Sequence, residues 1–152
     1  MKKAFLFLSL FVCLLAFSVE TKAQETVDPQ AITDNLFEKD AQHNLDVAYQ
    51  YYKLKKAYKG VLMRFEETYA AYPQFSKMDE FLYIAGMSSF YLSENKGRQK
   101  VDFTDEVEKE KFAPEKMKEN AVAYFGTIAE QYPNSKFKKD AEKMLKKIKD
   151  SK

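Results

Sequence analysis

One pattern of apolar and polar positions occurs twice in the chain, at Lys56–Pro73 and again at Asn120–Pro133. A small residue is followed by an aromatic residue four positions later, a small or aliphatic residue three further on, and a proline after another five. The matched positions are Val61 and Ala121, Phe65 and Phe125, Thr68 and Ile128, Tyr72 and Tyr132, and Pro73 and Pro133. This spacing is typical of the second helix of a tetratricopeptide-type repeat, in which the small residue admits the partner helix, the aromatic fills the seam, and proline stops the helix.

A first helix is predicted before the first of these stretches, from about residue 31 to Lys53. Leu45, Ala48, Tyr49 and Tyr52 stand at i, i+3, i+4 and i+7, which places them on one face of a helix. Tyr49 occupies a repeat position that usually holds glycine or alanine. This departure indicates either a wider helix spacing or a tyrosine turned towards a groove.

Three further helices follow from the pattern. Phe81–Leu92 is apolar nearly all the way round, which predicts a third helix covered on several sides. A fourth helix is predicted to begin at Pro114 and to end at Pro133. Proline is accepted in the first turn because a backbone N–H at that position has no partner within the helix. The last helix runs from about Ser135 to Lys149, with a narrow apolar stripe among lysines, as a terminal capping helix requires. No segment alternates as a strand would, so we predict an all-α fold of antiparallel helix pairs, stacked as a short TPR-like α-solenoid of about five helices.

Residues 98–113 interrupt the repeat, where a connection of about three or four residues would suffice. This insertion is highly charged and has Val101 and Phe103 as its only large apolar residues before the run Asp105–Lys111. We therefore expect it to add little to the core. It either contacts something outside the domain or is tolerated because lengthening a surface loop costs little free energy.

The N-terminus predicts a secretory signal peptide over residues 1–23. Lys2 and Lys3 precede an apolar run, Ala4–Phe17, and small residues favour cleavage after Ala23. The run is shorter than the roughly 20 residues of a bilayer span, so no integral membrane span is expected after cleavage. Cys13 lies inside the run and does not follow it, which is not the place of a lipid-accepting cysteine. The remaining segments are a flexible leader over residues 24–30 and a helical domain over residues 31–152 that carries the insertion.

Charge and composition exclude several functions. The chain has 25 basic and 23 acidic residues, and removal of the signal peptide, with its three lysines and one glutamate, leaves 22 of each. This balance gives no argument for a nucleic acid or for an anionic membrane as the partner. His43 is the only histidine and Cys13 the only cysteine, so we expect no enzyme, no metal site and no cofactor. The acidic run in the insertion lacks the oxygen spacing and glycine of a calcium loop.

The ten tyrosines are the best candidates for a binding surface, because tyrosine buries much area at low entropic cost. Those near the second-helix stripes are expected in the core: Tyr69, Tyr72, Tyr124 and Tyr132. First helices line the groove of such stacks, so the groove candidates are Tyr49, Tyr51, Tyr52, Tyr83 and Tyr91. Of these, Tyr49, Tyr52 and Tyr83 are predicted to bind a partner.

Two stretches resemble a known family. Asp46–Pro73, with its paired tyrosines and Tyr-Pro end, and Glu119–Leu145, with its "YPNSKF" and "DA" elements, are similar to the repeats of the BamD-like outer-membrane protein assembly lipoproteins. The resemblance implies a helical scaffold on the periplasmic side of the outer membrane that helps a β-barrel insertase to assemble its substrates. The chain differs from the family in having no lipid-accepting cysteine after the signal peptide, and about two and a half repeats in place of five.

Two functions are compatible with these observations. The first is an exported periplasmic adaptor, peripheral at the outer membrane, that binds other envelope proteins. The alternative is an envelope protein whose groove recognises a peptide or a cell-wall ligand.

Overall fold

The computed structural model describes residues 29–150, and all regular secondary structure in this range is helical. The helices are α1 (Pro29–Gln50), which continues into a π-helical turn (Tyr51–Lys55), α2 (Tyr58–Ala71), α3 (Met78–Ser93), α4 (Glu106–Lys111), α5 (Pro114–Gln131) and α6 (Lys138–Asp150). Helix α1 packs on α2, α2 on α3, α3 on α5, and α5 on α6. The predicted all-α fold of packed helix pairs is confirmed, and the additional sixth helix, α4, lies inside the insertion.

The N-terminal boundary of the first helix differs slightly from the prediction. Helix α1 begins at Pro29, so residues 29–30, assigned to the leader, are helical. The predicted signal peptide and leader residues 24–28 lie outside the described residues. Between residues 29 and 150, none of the helices has both the length and the apolar character needed to cross a bilayer.

The two repeat copies build the same turn. Tyr72 and Tyr132 each close a helix by donating a backbone N–H to the carbonyl four residues earlier, on Thr68 (2.8 Å) and Ile128 (3.1 Å). The residue three positions later donates to the tyrosine carbonyl in both turns, at 3.2 and 3.0 Å. The proline after each tyrosine cannot continue the helix. The sixty-residue offset in the sequence is therefore a structural repeat.

The matched aromatics fill the seams, as the pattern predicts. Phe65 is 3% exposed and Phe125 is fully buried. Phe65 meets Phe81 edge-on at a centroid distance of 5.5 Å, and it meets Tyr124 in the same way at 4.9 Å. Because Phe81 belongs to α3 and Tyr124 to α5, this ring joins the first helix pair to the second.

Helix α3 is the central element, with ten of its 16 residues buried. This confirms that the apolar segment Phe81–Leu92 is covered on several sides. Gly86 gives the ring of Phe125 its place, since a Cβ on Gly86 would lie only 2.8 Å from that ring. The close approach at this glycine is therefore between backbone and side chain.

The insertion contributes to the core, and the expectation that it adds little is wrong. Val101 and Phe112 are buried, at 9% and 5% exposed. Helix α4 is capped by the Asp105 side chain and is tied to α2 by Lys59, whose Nζ donates to both carboxylate oxygens of Glu108 at 2.8 and 2.9 Å. Two apolar side chains near its ends hold this charged segment in place, together with two ion pairs to α2, from Glu108 to Lys59 and from Lys111 to Glu66 at 2.7 Å.

A glycine in α5 offers a test of the local packing. A Cβ on Gly126 would meet nothing within 4 Å, unlike one on Gly86. Glycine inside a helix costs up to about 1 kcal/mol relative to alanine. We therefore expect Gly126→Ala to raise the free energy of unfolding by about 0.5–1 kcal/mol and Gly86→Ala to lower it, as denaturant titration would show. A stabilising Gly86→Ala would contradict the close packing of Phe125 against α3.

Candidate functional site

Of the three tyrosines predicted as binding residues, Tyr83 lies near enough to Tyr49 and to Tyr52 to raise the pKa of both. Tyr49 lies at the end of α1 and Tyr52 in the π turn that follows it. Tyr83 lies on α3, and Tyr91 lies eight residues later on the same helix. All four are half-buried. We call these four residues the tyrosine face. The structure thus brings the predicted residues together, and whether they bind a partner is a separate question.

At one edge of the tyrosine face, side chains bridge α1 and α3. The Tyr49 hydroxyl donates to Oε1 of Glu80 at 2.5 Å. The ammonium group of Lys53 lies 4.6 Å above the Tyr49 ring. A tyrosine at the position that usually holds a small residue therefore turns towards the neighbouring first helix, where it fills the space between α1 and α3.

In the middle of the tyrosine face, Tyr52 and Tyr91 stack at 6.3 Å, and each also contacts the buried ring of Tyr58, at 5.9 and 4.9 Å. These rings form one wall of a cleft of about 590 Å³. Its rim carries ammonium groups from Lys56, Lys96 and Lys100. The cleft therefore combines a flat aromatic surface with positive charge.

The last tyrosine of the face connects α3 to α6. Tyr83 stacks on Phe137 at 4.8 Å and borders a second cleft, of about 690 Å³. Met87 and Met144 line this cleft beside Tyr83. Neither methionine was predicted as a binding residue, although Met87 lies four residues after Tyr83 and so shares its side of the helix.

The phenols of Tyr49, Tyr52 and Tyr83 are neutral. Burial raises the pKa of Tyr49, and the hydrogen bond to the Glu80 carboxylate raises it further. Burial also raises the pKa of Tyr52, with Tyr91 as the next cause, and of Tyr83, with Asp140 as the next cause. Because the ordinary pKa of tyrosine is already about 10, all three remain protonated at physiological pH. They can bind through ring area and hydrogen bonds, and their charge does not change there.

Tyr51, another groove candidate, lies elsewhere. Its ring packs over Gly60 of α2, where a Cβ would come within 2.7 Å of it, and it lines a separate cleft of about 490 Å³ beside the insertion. Residues two apart on a helix point in nearly opposite directions, so Tyr51 could have been separated from Tyr49 by sequence alone. The glycine at position 60 is explained by this ring.

Among the tyrosines expected in the core, Tyr69 is a correction. It is 50% exposed, although its ring stacks on Phe65 at 5.5 Å. Tyr124 is half-buried, and burial raises its pKa to about 12. Tyr69 lies on α2, away from the tyrosine face, which makes it a useful control position.

His43 and the acidic residues of the insertion are the other residues considered from the sequence. Residues 29–150 hold no group of three or more His, Cys, Asp or Glu side chains that could bind a metal ion. His43 is exposed on α1. The acidic residues of the insertion have structural partners: Asp102 accepts from Thr104, and Glu108 accepts from Lys59.

Comparison with known proteins identifies one family. A family model described as "YfiO: Outer membrane lipoprotein" matches residues 34–151, which includes both repeat copies and the insertion between them. Comparison with curated proteins and with solved structures found no match.

Proposed function

Because the chain belongs to the YfiO family of outer membrane lipoproteins, we propose that it is an envelope adaptor whose tyrosine face holds a segment of another protein during outer-membrane protein assembly. The observation that carries this proposal is that four half-buried tyrosines from α1, its π turn and α3 lie near one another, with Tyr52 stacked on Tyr91 and Tyr83 close to both Tyr49 and Tyr52.

The composition of this surface supports a protein partner. Tyrosine is enriched among the residues that dominate binding energy, because it combines a large apolar ring with a hydroxyl that can pair with polar groups. The adjacent cleft at Met87 and Met144 adds adaptable apolar area. Lysines at the rim of the cleft beside Tyr52 and Tyr91 favour a segment that carries acidic side chains beside its apolar ones.

The arrangement also fits the way stacked helical pairs bind. First helices of successive pairs stand side by side, so an extended or helical segment can lie across them and bury aromatic residues. Here Tyr49 and Tyr52 lie on the first helix of one pair and Tyr83 on the first helix of the next. A partner that contacts all three would span the two repeats.

We expect a photo-crosslinking amino acid at position 52 or 83 to form adducts with another envelope protein in living cells. Tyr69 provides the matched control, because it is an exposed tyrosine on α2 outside the tyrosine face. Mass spectrometry of the adducts identifies the partner. We also expect Tyr52→Ala to reduce recovery of that partner by at least about fivefold, the effect of losing a moderate hot spot.

The adducts also distinguish this proposal from its alternative. Components of outer-membrane protein assembly at positions 52 and 83, and none at 69, would support the adaptor. Glycan fragments at the same positions would instead indicate recognition of the cell wall. Equal crosslinking at all three positions would argue against the tyrosine face as the binding surface.

A further inference from the structure

Helix α6 carries an unusual concentration of positive charge, six lysines against three acidic residues in 13 positions. The lysines are Lys138, Lys139, Lys143, Lys146, Lys147 and Lys149. Between residues 29 and 150, none of these six side chains forms an ion pair. We call them the α6 lysines.

The packing of α6 turns this charge outwards. Ala141 and Ile148 are buried and fix the inner side of the helix. Lys139 and Lys149 are exposed, and neither lines the cleft beside Tyr83. At about 100° per residue, five of the lysines lie on the outer side of α6 with Glu142 and Asp150 among them, while the ammonium group of Lys147 lies 5.0 Å above the Phe90 ring of α3. The outer side of the terminal helix is therefore a broad cationic surface.

The opposite end of the stack has the opposite charge. Helix α1 carries four acidic residues, Asp34, Glu38, Asp40 and Asp46, and one lysine, Lys39. No membrane partner was expected, because acidic and basic residues are nearly balanced over the whole chain. The charges are nevertheless separated, with acidic residues in excess on α1 and lysines in excess on α6. A protein polarised in this way is oriented by a charged surface as well as attracted to it.

We infer that the α6 lysines form a docking surface for an anionic phospholipid bilayer, with the acidic helix α1 turned away from it. Clustered lysines near a bilayer attract anionic headgroups, and the attraction requires no pocket and no fixed partner geometry. The α6 lysines form such a surface, because they are spread over the outside of a helix and do not converge on one point. The family places the chain in the envelope, where such a surface is available.

A protein partner is the less favoured occupant of this surface. Stable protein interfaces bury an apolar centre, commonly with aromatic residues. Within residues 29–150, the large apolar side chains that are strongly exposed lie on other helices and on the insertion, and α6 has none of them. A bilayer also fits the absence of paired counter-charges, since headgroups can rearrange around each ammonium group.

This inference goes beyond the adaptor function and does not depend on it. The protein, purified in the form that the cell makes, is mixed with phosphatidylcholine vesicles that contain about one-third phosphatidylglycerol, and with vesicles of phosphatidylcholine alone. We expect cosedimentation with the anionic vesicles to exceed that with neutral vesicles several-fold, and the excess to disappear when salt is raised from about 0.02 to about 0.3 M.

Two variants with the same net charge locate the site. Lys139→Glu with Lys149→Glu should reduce binding to the anionic vesicles at least about tenfold, because four units of charge change on the docking surface. Lys39→Glu with Lys109→Glu makes the same change elsewhere, on α1 and α4, and should reduce it less than about twofold. Circular dichroism checks that both remain helical, and Lys139→Gln with Lys149→Gln provides a milder pair if the glutamates disturb α6.

Several results would overturn the inference. Equal binding to anionic and neutral vesicles would show that charge does not direct membrane association. An equal loss in both double variants would show that only total charge matters. Absence of vesicle binding, with salt-sensitive capture of an acidic protein that requires Lys139 and Lys149, would reassign the surface to that protein. None of these results would affect crosslinking at position 52, so the two proposals can fail separately.

Discussion

Truncating Phe125 to alanine is expected to lower the free energy of unfolding by about 3–5 kcal/mol, the range for a buried phenylalanine. Phe125 is fully buried, and its ring lies against the backbone of Gly86 and 6.1 Å from the ring of Tyr83. The central helix α3 is held from several sides and cannot collapse into the vacated space. The cavity term should therefore be near its upper range.

The corresponding change in the first repeat tests the equivalence of the two copies. Phe65→Ala should cost a similar amount, because Phe65 is 3% exposed and meets rings from α3 and α5. Val122→Ala is the matched control, since Val122 is on the same helix as Phe125 but is 37% exposed. It should change the free energy of unfolding by less than about 1 kcal/mol in the same urea titrations. A neutral Phe125→Ala would contradict the sixty-residue repeat itself.

The repeat could be predicted because its physical requirements leave marks at fixed spacing. A residue that admits a neighbouring helix must be small, a seam must be filled by a large ring, and a helix must be stopped, so Ala121, Phe125 and Pro133 each had one interpretation. A helix that is apolar on all sides is likewise stable in water only when other helices cover it. The helix pairs and the central position of α3 followed from these marks.

The candidate site was only partly predictable. Helical spacing placed Tyr49 and Tyr52 on one side of α1, but the sequence did not say that the Tyr49 hydroxyl would reach Glu80 of α3. The methionines of the second cleft were also missed, because a methionine on a helix stripe is most often an ordinary core residue. Local periodicity gives the direction of a side chain within its own helix, while contacts between helices depend on how the helices pack.

The insertion was misjudged for a different reason. Its apolar anchors, Val101 and Phe112, are isolated in the sequence, so no periodic pattern indicates that they are buried. Its polar anchors are the pairs of Glu108 with Lys59 and of Lys111 with Glu66, residues far apart in the chain that meet only after α2 and α4 are placed. A segment that is held by a few isolated long-range contacts has the same composition as a solvated loop, so its composition does not reveal that it is packed.

Because the insertion is packed against the core, its removal should destabilise the protein. Joining Gln99 to Phe112 through a short Gly-Ser turn, with residues 100–111 deleted, would remove the buried side chain of Val101 and the carboxylate of Glu108. Burial of a valine contributes about 1.5–3 kcal/mol, and an ammonium group that loses its partners costs about 1–3 kcal/mol more where water cannot replace them. The Lys59 side chain is 15% exposed, so water replaces only part of that interaction.

We therefore expect this deletion to lower the free energy of unfolding by about 3 kcal/mol and the melting temperature by roughly 10 °C. Lys109→Ala, which removes only an exposed side chain paired with Glu106 at 3.3 Å, should change the free energy by less than about 0.5 kcal/mol. Glu108→Gln separates the two contributions, because it keeps Val101 in place and changes only the Glu108 carboxylate, which pairs with Lys59 and accepts from the backbone N–H of Asp102. A deletion variant as stable as the intact protein in thermal and urea unfolding would mean that the insertion is a tolerated surface loop. A loss concentrated in Glu108→Gln would instead assign its anchoring mainly to the ion pair, because Val101 is intact in that variant.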